Sequence, residues 1–176
     1  QQNVKENAIE EYKNLRAATN CAPDNFCKVY GYVDDERGVL IVMKKYDGTL
    51  LDEIKQDKPL PLKRTVDVCL KMAKTFHLLH TSVNTPMLFL DLKPQNILVD
   101  RGLKTVVLGD FGVARALTNT CGVLPTNSPT GTPCYQSPEQ AGANVFGTTV
   151  DSDDSDKEDE EALMTAKTDV WTFGTT

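Results

Sequence analysis

Residues 88–90 and 97–99 are short apolar runs, and between them the chain reads Asp91-Leu92-Lys93-Pro94-Gln95-Asn96. This stretch constrains the fold more than any other. The flanking runs suit short strands, and Pro94 stiffens the turn between them. One carboxylate, one ammonium and one amide oxygen therefore sit on a short loop between strands. A further apolar run, Thr105–Leu108, leads into Asp110-Phe111-Gly112. Gly112 frees the backbone there, and Asp110 offers a hard oxygen for a cation. Phosphoryl transfer needs such a set: an orienter for the attacking hydroxyl, a cation for the phosphate and oxygen ligands for Mg²⁺. Taken singly, the loop also reads as a polar surface turn, and a lone Asp-Phe-Gly as a tight turn.

The surroundings mix helix and strand. Residues 5–19 carry Ala8, Tyr12, Leu15 and Ala18 at helical spacing, with Ile9 beside them. Asn20, Pro23 and Asn25 end that helix. Phe26–Val33 and Val39–Tyr46 read as strands joined by the polar turn 34–38, a hairpin. A short helix begins near Leu50, and Pro59 and Pro61 end it. Residues 62–81 form a long helix whose expected core face is Leu62, Val66, Cys69, Leu70, Ala73, Phe76 and His80. Residues 112–130, rich in Thr, Asn, Pro and Gly, read as a long loop of functional or mobile character.

Charge is uneven. The 176 residues carry 19 Lys and Arg against 25 Asp and Glu, a net charge of −6. Residues 151–161, DSDDSDKEDEE, hold eight acids and one Lys, so the remainder of the chain is close to neutral. The segment is expected to be solvated and disordered. The acidic balance argues against broad nucleic-acid binding, and no apolar run reaches membrane-spanning length. The five cysteines are odd in number and form no Cys-x-x-Cys pair, which points to a reduced intracellular compartment. His77 and His80 are expected to play core or surface roles.

Two later segments complete the pattern: Gly131-Thr132-Pro133-Cys134-Tyr135-Gln136-Ser137-Pro138-Glu139 and Asp169-Val170-Trp171-Thr172-Phe173-Gly174. In order and spacing, the four segments resemble the eukaryotic protein kinases. The first looks like the D-L-K-P-x-N catalytic loop and the second is D-F-G. The third looks like G-T-x-x-Y-x-[AS]-P-E, and the fourth like the D-V-W-x-F-G opening of the large buried helix. The implied fold is α+β, a two-lobed kinase fold present in part. Residues 1–46 would belong to the small lobe and 47–176 to the helical lobe, interrupted by an acidic insert at 142–163.

The resemblance implies roles. Asp91 would orient or accept the substrate hydroxyl proton, and Lys93 would neutralise the γ-phosphate. Asn96 and Asp110 would bind Mg²⁺. Thr132 would bridge Asp91 and Lys93 where substrate docks, and Asp169 would hold the catalytic loop from below. Leu98 would pack under adenine, Met43 would guard the back of that pocket, and the hinge Lys44-Lys45-Tyr46 would bond adenine through its backbone. Glu11 fits the small-lobe glutamate that pairs with a strand lysine, with Glu10 as the other choice. Lys93, Thr132 and Ser137-Pro138-Glu139 resemble the serine/threonine branch. ATP and Mg²⁺ are the implied cofactors and a protein serine or threonine the implied substrate. A basic partner at the acidic insert is a further expectation.

The departures are specific. Phe89 and Leu90 stand where the family has His-Arg. Phe89 is expected to join an apolar column with Phe111, Val29 and Leu15. Leu90 cannot pair with a phosphate on the activation loop, so phosphorylation of Thr118, Thr120, Thr126, Ser128 or Thr130 is not required through that route. Glu139, which pairs with an Arg in the family, is expected to be left unpartnered in this chain. The Gly-rich loop and its strand lysine would lie before Gln1, so the chain reads as a fragment, poorly soluble and with little or no activity by itself. The alternative is a pseudokinase or scaffold that binds without turnover.

Overall fold

The computed structural model describes residues 2–55, 59–81, 85–117, 122, 124–126, 130–145 and 162–176. Segment 151–161, Thr118, Thr120 and Ser128 lie outside the described residues. Helix α1 runs Gln2–Cys21. Tyr12, Leu15 and Ala18 are its buried stripe, and it stops where Pro23 makes continuation unfavourable. Strands β1 (Val29–Asp35) and β2 (Gly38–Met43) pair antiparallel around a two-residue turn at Glu36-Arg37. Gly38 takes φ +138°, which suits glycine alone. The first strand begins and ends later than its apolar run suggests, and the second begins one residue earlier and ends sooner. Phe26 instead bridges to Leu108, and Lys44 N–H donates to Lys28 O at 2.8 Å just past the paired region.

Strand β3 (Gly48–Thr49) leads into α2 (Leu50–Ile54). Asp52 N–H donates to Thr49 Oγ1 and Thr49 N–H to Asp52 Oδ2, a reciprocal cap that stabilises such a short helix by about 1 kcal/mol. Helix α3 (Leu62–Thr81) has the bounds that the sequence predicts but not the face. Val68, Met72, Thr75, Phe76 and Leu79 enter the core. Leu62 is 79% exposed, and Val66, Cys69, Leu70 and Ala73 also face outward. The helix carries apolar residues around most of its circumference, so spacing alone picks the wrong stripe.

Strands β4 (Met87–Leu88), β5 (Ile97–Val99), β6 (Val106–Leu108), β7 (Arg115–Ala116) and β8 (Leu124–Thr126) follow. Helix α4 spans Pro138–Val145, β9 Ala162–Met164 and α5 Ala166–Thr175. β5 lies between β3 and β6, both antiparallel to it, while β4 pairs with β7 and β8 with β9. The stretch 112–130 is thus not simply a loop, since it gives two short strands to separate ladders. Small antiparallel sheets beside five helices make the expected α+β class.

The larger apolar cluster of the core joins α1, α3 and the β5–β6 ladder. Through it runs a row of rings. Phe26 meets Phe111 at 5.9 Å, Phe111 meets Phe89 at 5.3 Å, and Phe89 meets Phe76 at 6.1 Å, all edge to face. Such pairs contribute roughly 0.5–1.5 kcal/mol beyond burial. The expected column of Phe89, Phe111, Leu15 and Val29 belongs to this cluster, with Phe26 and Phe76 added.

Candidate active site

The β5–β6 pairing sets the site. Ile97 pairs with Leu108, so the loop before β5 and the loop after β6 leave the ladder at the same end. Gly109 N–H donates to Asn96 O at 2.9 Å, which fixes Asp110 beside the catalytic-type loop. A Cβ on Gly109 would lie 2.7 Å from Leu98 Cδ1, so any larger residue there would have to push the Leu98 side chain aside.

Asp91 is buried and held by three donors. Lys93 Nζ donates to Oδ2 at 2.6 Å, Thr132 Oγ1 to Oδ1 at 2.6 Å, and Asn96 Nδ2 to Oδ2 at 3.2 Å and to the backbone oxygen at 2.9 Å. Lys93 Nζ also donates to Thr132 Oγ1 at 2.8 Å, closing a triangle of Asp91, Lys93 and Thr132. Thr132 comes from 41 positions along the chain, so only the tertiary fold brings it here. With Nδ2 engaged, Asn96 keeps Oδ1 as a ligand atom.

The backbone of this loop is pinned from below. Asp169, fully buried on α5, accepts from Phe89 N–H and Leu90 N–H at 2.8 Å each. His80 Nε2 lies 2.8 Å from the same carboxylate. Sequence reading gave His80 no such partner, since nothing local signals a contact 89 positions away. Leu90 takes φ +67° and Asp110 φ +59°, left-handed values that cost a side-chain-bearing residue about 1–3 kcal/mol. The first adjoins Asp91 and the second bears its own carboxylate, and the bond from Leu90 N–H to Asp169 helps to hold the first.

Around this centre the remaining residues divide. Glu11 is half-buried and its carboxylate reaches the Gly112 backbone, where a Cβ would lie 3.6 Å from Oε2. Burial pushes its carboxyl above the ordinary range, and the nearby Asp110 charge adds to the shift. Glu10 points outward instead, 3.9 Å from Lys13. Glu11 has no cationic partner among the described residues. Met43 is 39% exposed, its sulfur 3.7 Å from buried Cys27. Lys44 Nζ bonds Asp100 at 3.0 Å and lies over the Tyr46 ring at 4.4 Å. A cavity of about 860 Å³ opens behind these residues, lined by Lys28, Lys44, Lys71 and Lys104, and Asp91 does not line it.

One expectation needs correction. Glu139 does not lack a partner, because Thr168 Oγ1 donates to Oε1 at 2.6 Å. Burial pushes its carboxyl up, but bonds from Thr168, its own backbone N–H and Ser137 outweigh burial and leave it below the ordinary range. At the position where the family has an arginine, Leu90 packs into apolar surroundings. Leu90 is 1% exposed and forms a second apolar cluster with Leu88 and Met164, against Val113, Leu117, Leu124 and Ala166. β9 thus reaches the stretch after Asp-Phe-Gly both through its pairing with β8 and through Met164.

The donor set suits Mg²⁺. The ion prefers oxygen ligands, keeps several waters and uses few protein groups. Asp110, one residue past Gly109, is an exposed carboxylate, and Asn96, whose backbone oxygen accepts the Gly109 bond, retains its amide oxygen. Among the described residues no group of three His, Cys, Asp or Glu forms a cage, which excludes a zinc-like centre there.

The sequence matches the family described as protein kinase domain over residues 1–152. It is 31% identical over 128 residues to the serine/threonine-protein kinase TIO of Arabidopsis thaliana, covering 73% of this chain and 9% of that protein. It is 29% identical to the serine/threonine-protein kinase pelle of Drosophila melanogaster, covering 81% of this chain and 30% of pelle. It is 35% identical to the serine/threonine-protein kinase PknB of Mycobacterium leprae, over 57% of this chain and 16% of PknB. The chain therefore spans less than a third of the length of these relatives. With a family match across most of its length and serine/threonine kinases as relatives, the chain belongs to the protein kinase family.

Proposed function

We propose that the protein containing this chain transfers the γ-phosphoryl group of Mg·ATP to a serine or threonine hydroxyl of a protein. The observation that carries this is the Asp91–Lys93–Thr132 triangle with Asn96 behind it. Asp91 accepts a hydrogen bond from the substrate hydroxyl, orients its oxygen and takes its proton as the new P–O bond forms. The β–γ bridging bond breaks and ADP leaves. Lys93 faces the charge that gathers on the transferring group. Thr132 fixes the Asp91 rotamer and lies where the peptide backbone passes. Asn96 and Asp110 would hold Mg²⁺, which shields phosphate charge when bound. Met43, Leu98 and the backbone of Lys44–Tyr46 form the adenine side, and Glu11 orients a lysine toward the phosphates. Residues 1–46 make up small-lobe structure and 47–176 helical-lobe structure. No described helix is long and apolar enough to cross a membrane, and Cys27, Cys69 and Cys134, which form no disulfide among the described residues, suit the cell interior.

The test is transfer of labelled γ-phosphate by the full-length protein to a serine/threonine peptide library. An Asp91→Asn variant should lose roughly 10²–10⁴-fold in rate, the span of a positioned acid–base group. A non-catalytic scaffold is the alternative, favoured by the lack of a cation at Glu11 among the described residues. Full-length protein that binds its partners but transfers no phosphate would establish that reading and remove the first.

A further inference from the structure

We infer that Gln140 is a positioning residue that couples the catalytic loop to the Thr132 loop. Gln140 is 1% exposed on α4 and touches neither Asp91 nor Thr132 through a hydrogen bond. Its Nε2 donates to Leu90 O at 2.9 Å and to Thr130 O at 3.1 Å, and its Oε1 accepts from Ser137 N–H at 3.0 Å. The orientation of the amide follows from its partners, since both carbonyls can only accept and the N–H can only donate.

These partners are placed where they matter. Leu90 O belongs to the peptide bond entering Asp91. Thr130 lies two residues before Thr132, whose hydroxyl holds Asp91. One side chain thus joins both segments whose side chains make the reactive triangle. The contact is tight. Gly131 has φ +92°, and a Cβ there would lie 2.4 Å from Leu90 O. Gln136 Nε2 adds a bond to Thr130 O at 3.1 Å. Asp169 holds Leu90 by its N–H and Gln140 holds it by its C=O, on α5 and α4 respectively. The left-handed backbone at Leu90 is therefore fixed from both sides by buried polar groups. A buried amide that loses its partners leaves carbonyls unsatisfied, and a carboxylate in its place would face two carbonyl oxygens.

The kinetic part of this inference rests on the kinase reading, and the structural part does not. Amide hydrogen exchange of the purified protein gives the structural arm. Gln140→Met should speed exchange at 89–93 and at 130–133 together, by about tenfold or more. Loosening of one segment with the other unchanged would overturn the coupling. In the full-length protein, Gln140→Met should lower kcat/KM for a peptide substrate by about 10–100-fold, with KM for ATP within twofold. Equal loss in both substrates would overturn a positioning role. Gln140→Glu provides the control if the Met variant fails to fold. Its protonated form regains a donor, so its activity relative to wild type should recover as pH falls from 8 to 6, with the two segments tightening together. A flat ratio and flat exchange would sink the proposal. A wild-type protein that transfers no phosphate would remove the kinase reading alone, leaving the exchange experiment to decide on Gln140.

Discussion

Thr132 Oγ1 donates to Asp91 Oδ1 at 2.6 Å while accepting from Lys93 Nζ at 2.8 Å. One hydroxyl thereby sets both the carboxylate and the ammonium. Hydrogen bonds to charged groups contribute about 1.5–3 kcal/mol. Thr132→Val should therefore lower kcat/KM of the full-length protein roughly 10–100-fold in a peptide phosphorylation assay, while Thr132→Ser keeps most of the rate. A Val variant at wild-type rate would show the triangle to be incidental.

The buried cluster around Leu90 predicts how the activation segment responds to change. Leu90→Arg forces a guanidinium among Leu88, Met164 and Leu124. Burying that charge without a partner should cost about 3 kcal/mol or more, read as a fall in Tm. Replacing Thr118, Thr120, Thr126, Ser128 and Thr130 together by Ala should leave activity of the full-length protein nearly unchanged. A large loss on that fivefold replacement would refute independence from phosphorylation.

Asp169 and His80 make a second test, one of stability. Asp169 is fully buried and accepts two backbone N–H groups besides facing His80. Removing a buried partner of this kind destabilises by about 3–5 kcal/mol. Asp169→Ala should therefore lower the denaturation midpoint far more than His80→Gln. Similar effects from the two variants would mean that the backbone bonds carry little.

The two glutamates should move stability with pH in opposite directions. Glu11 has a raised carboxyl in the folded state, from burial first and Asp110 second. Its folded state therefore binds the proton more tightly than the unfolded chain, and stability falls as pH rises through the window above the ordinary glutamate value. Glu11→Gln should remove that loss and raise Tm at pH 8, with no gain near pH 4. Glu139 is depressed, so it stabilises above the ordinary value and that contribution is lost as pH falls through its folded value. Thermal melts of Glu11→Gln and Glu139→Gln across pH 3–8 should diverge, and parallel curves would contradict both assignments.

Cys27 offers a chemical check on the core. It is fully buried, and burial pushes its thiol up to about 11. Iodoacetamide at pH 8 should label the exposed Cys69 and Cys134 in the folded protein and reach Cys27 only in denaturant. Mass spectrometry of the alkylated peptides reads this directly, and early labelling of Cys27 would contradict the packing of Phe26 and Cys27 against Leu108.

Much of the site is legible in the sequence because its groups are local. Asp91, Lys93 and Asn96 lie within one loop, and Asp110 follows the next strand but one position. Thr132 and Asp169 are legible only because their motifs keep a fixed spacing. What stays hidden depends on distant contacts. Gln140 looks like a surface glutamine, since nothing in Ser137-Pro138-Glu139-Gln140 tells that its amide is buried against Leu90. His80 ends a helix and gives no sign of Asp169. The outward stripe of α3 was misread because Leu62, Val66 and Leu70 keep the same spacing as the true core face. The β8–β9 pairing joins residues on either side of an acidic stretch, which no local pattern reveals.

That pairing has a consequence for how the catalytic loop is anchored. β9 packs against α4, so the connection 146–161 begins and ends on neighbouring elements. The contacts that hold α4 against β9, and with them the places of Gln140 and Met164, are made by residues on either side of that connection. What anchors the catalytic loop from this side is thus spread over two stretches of sequence that only the folded chain brings together.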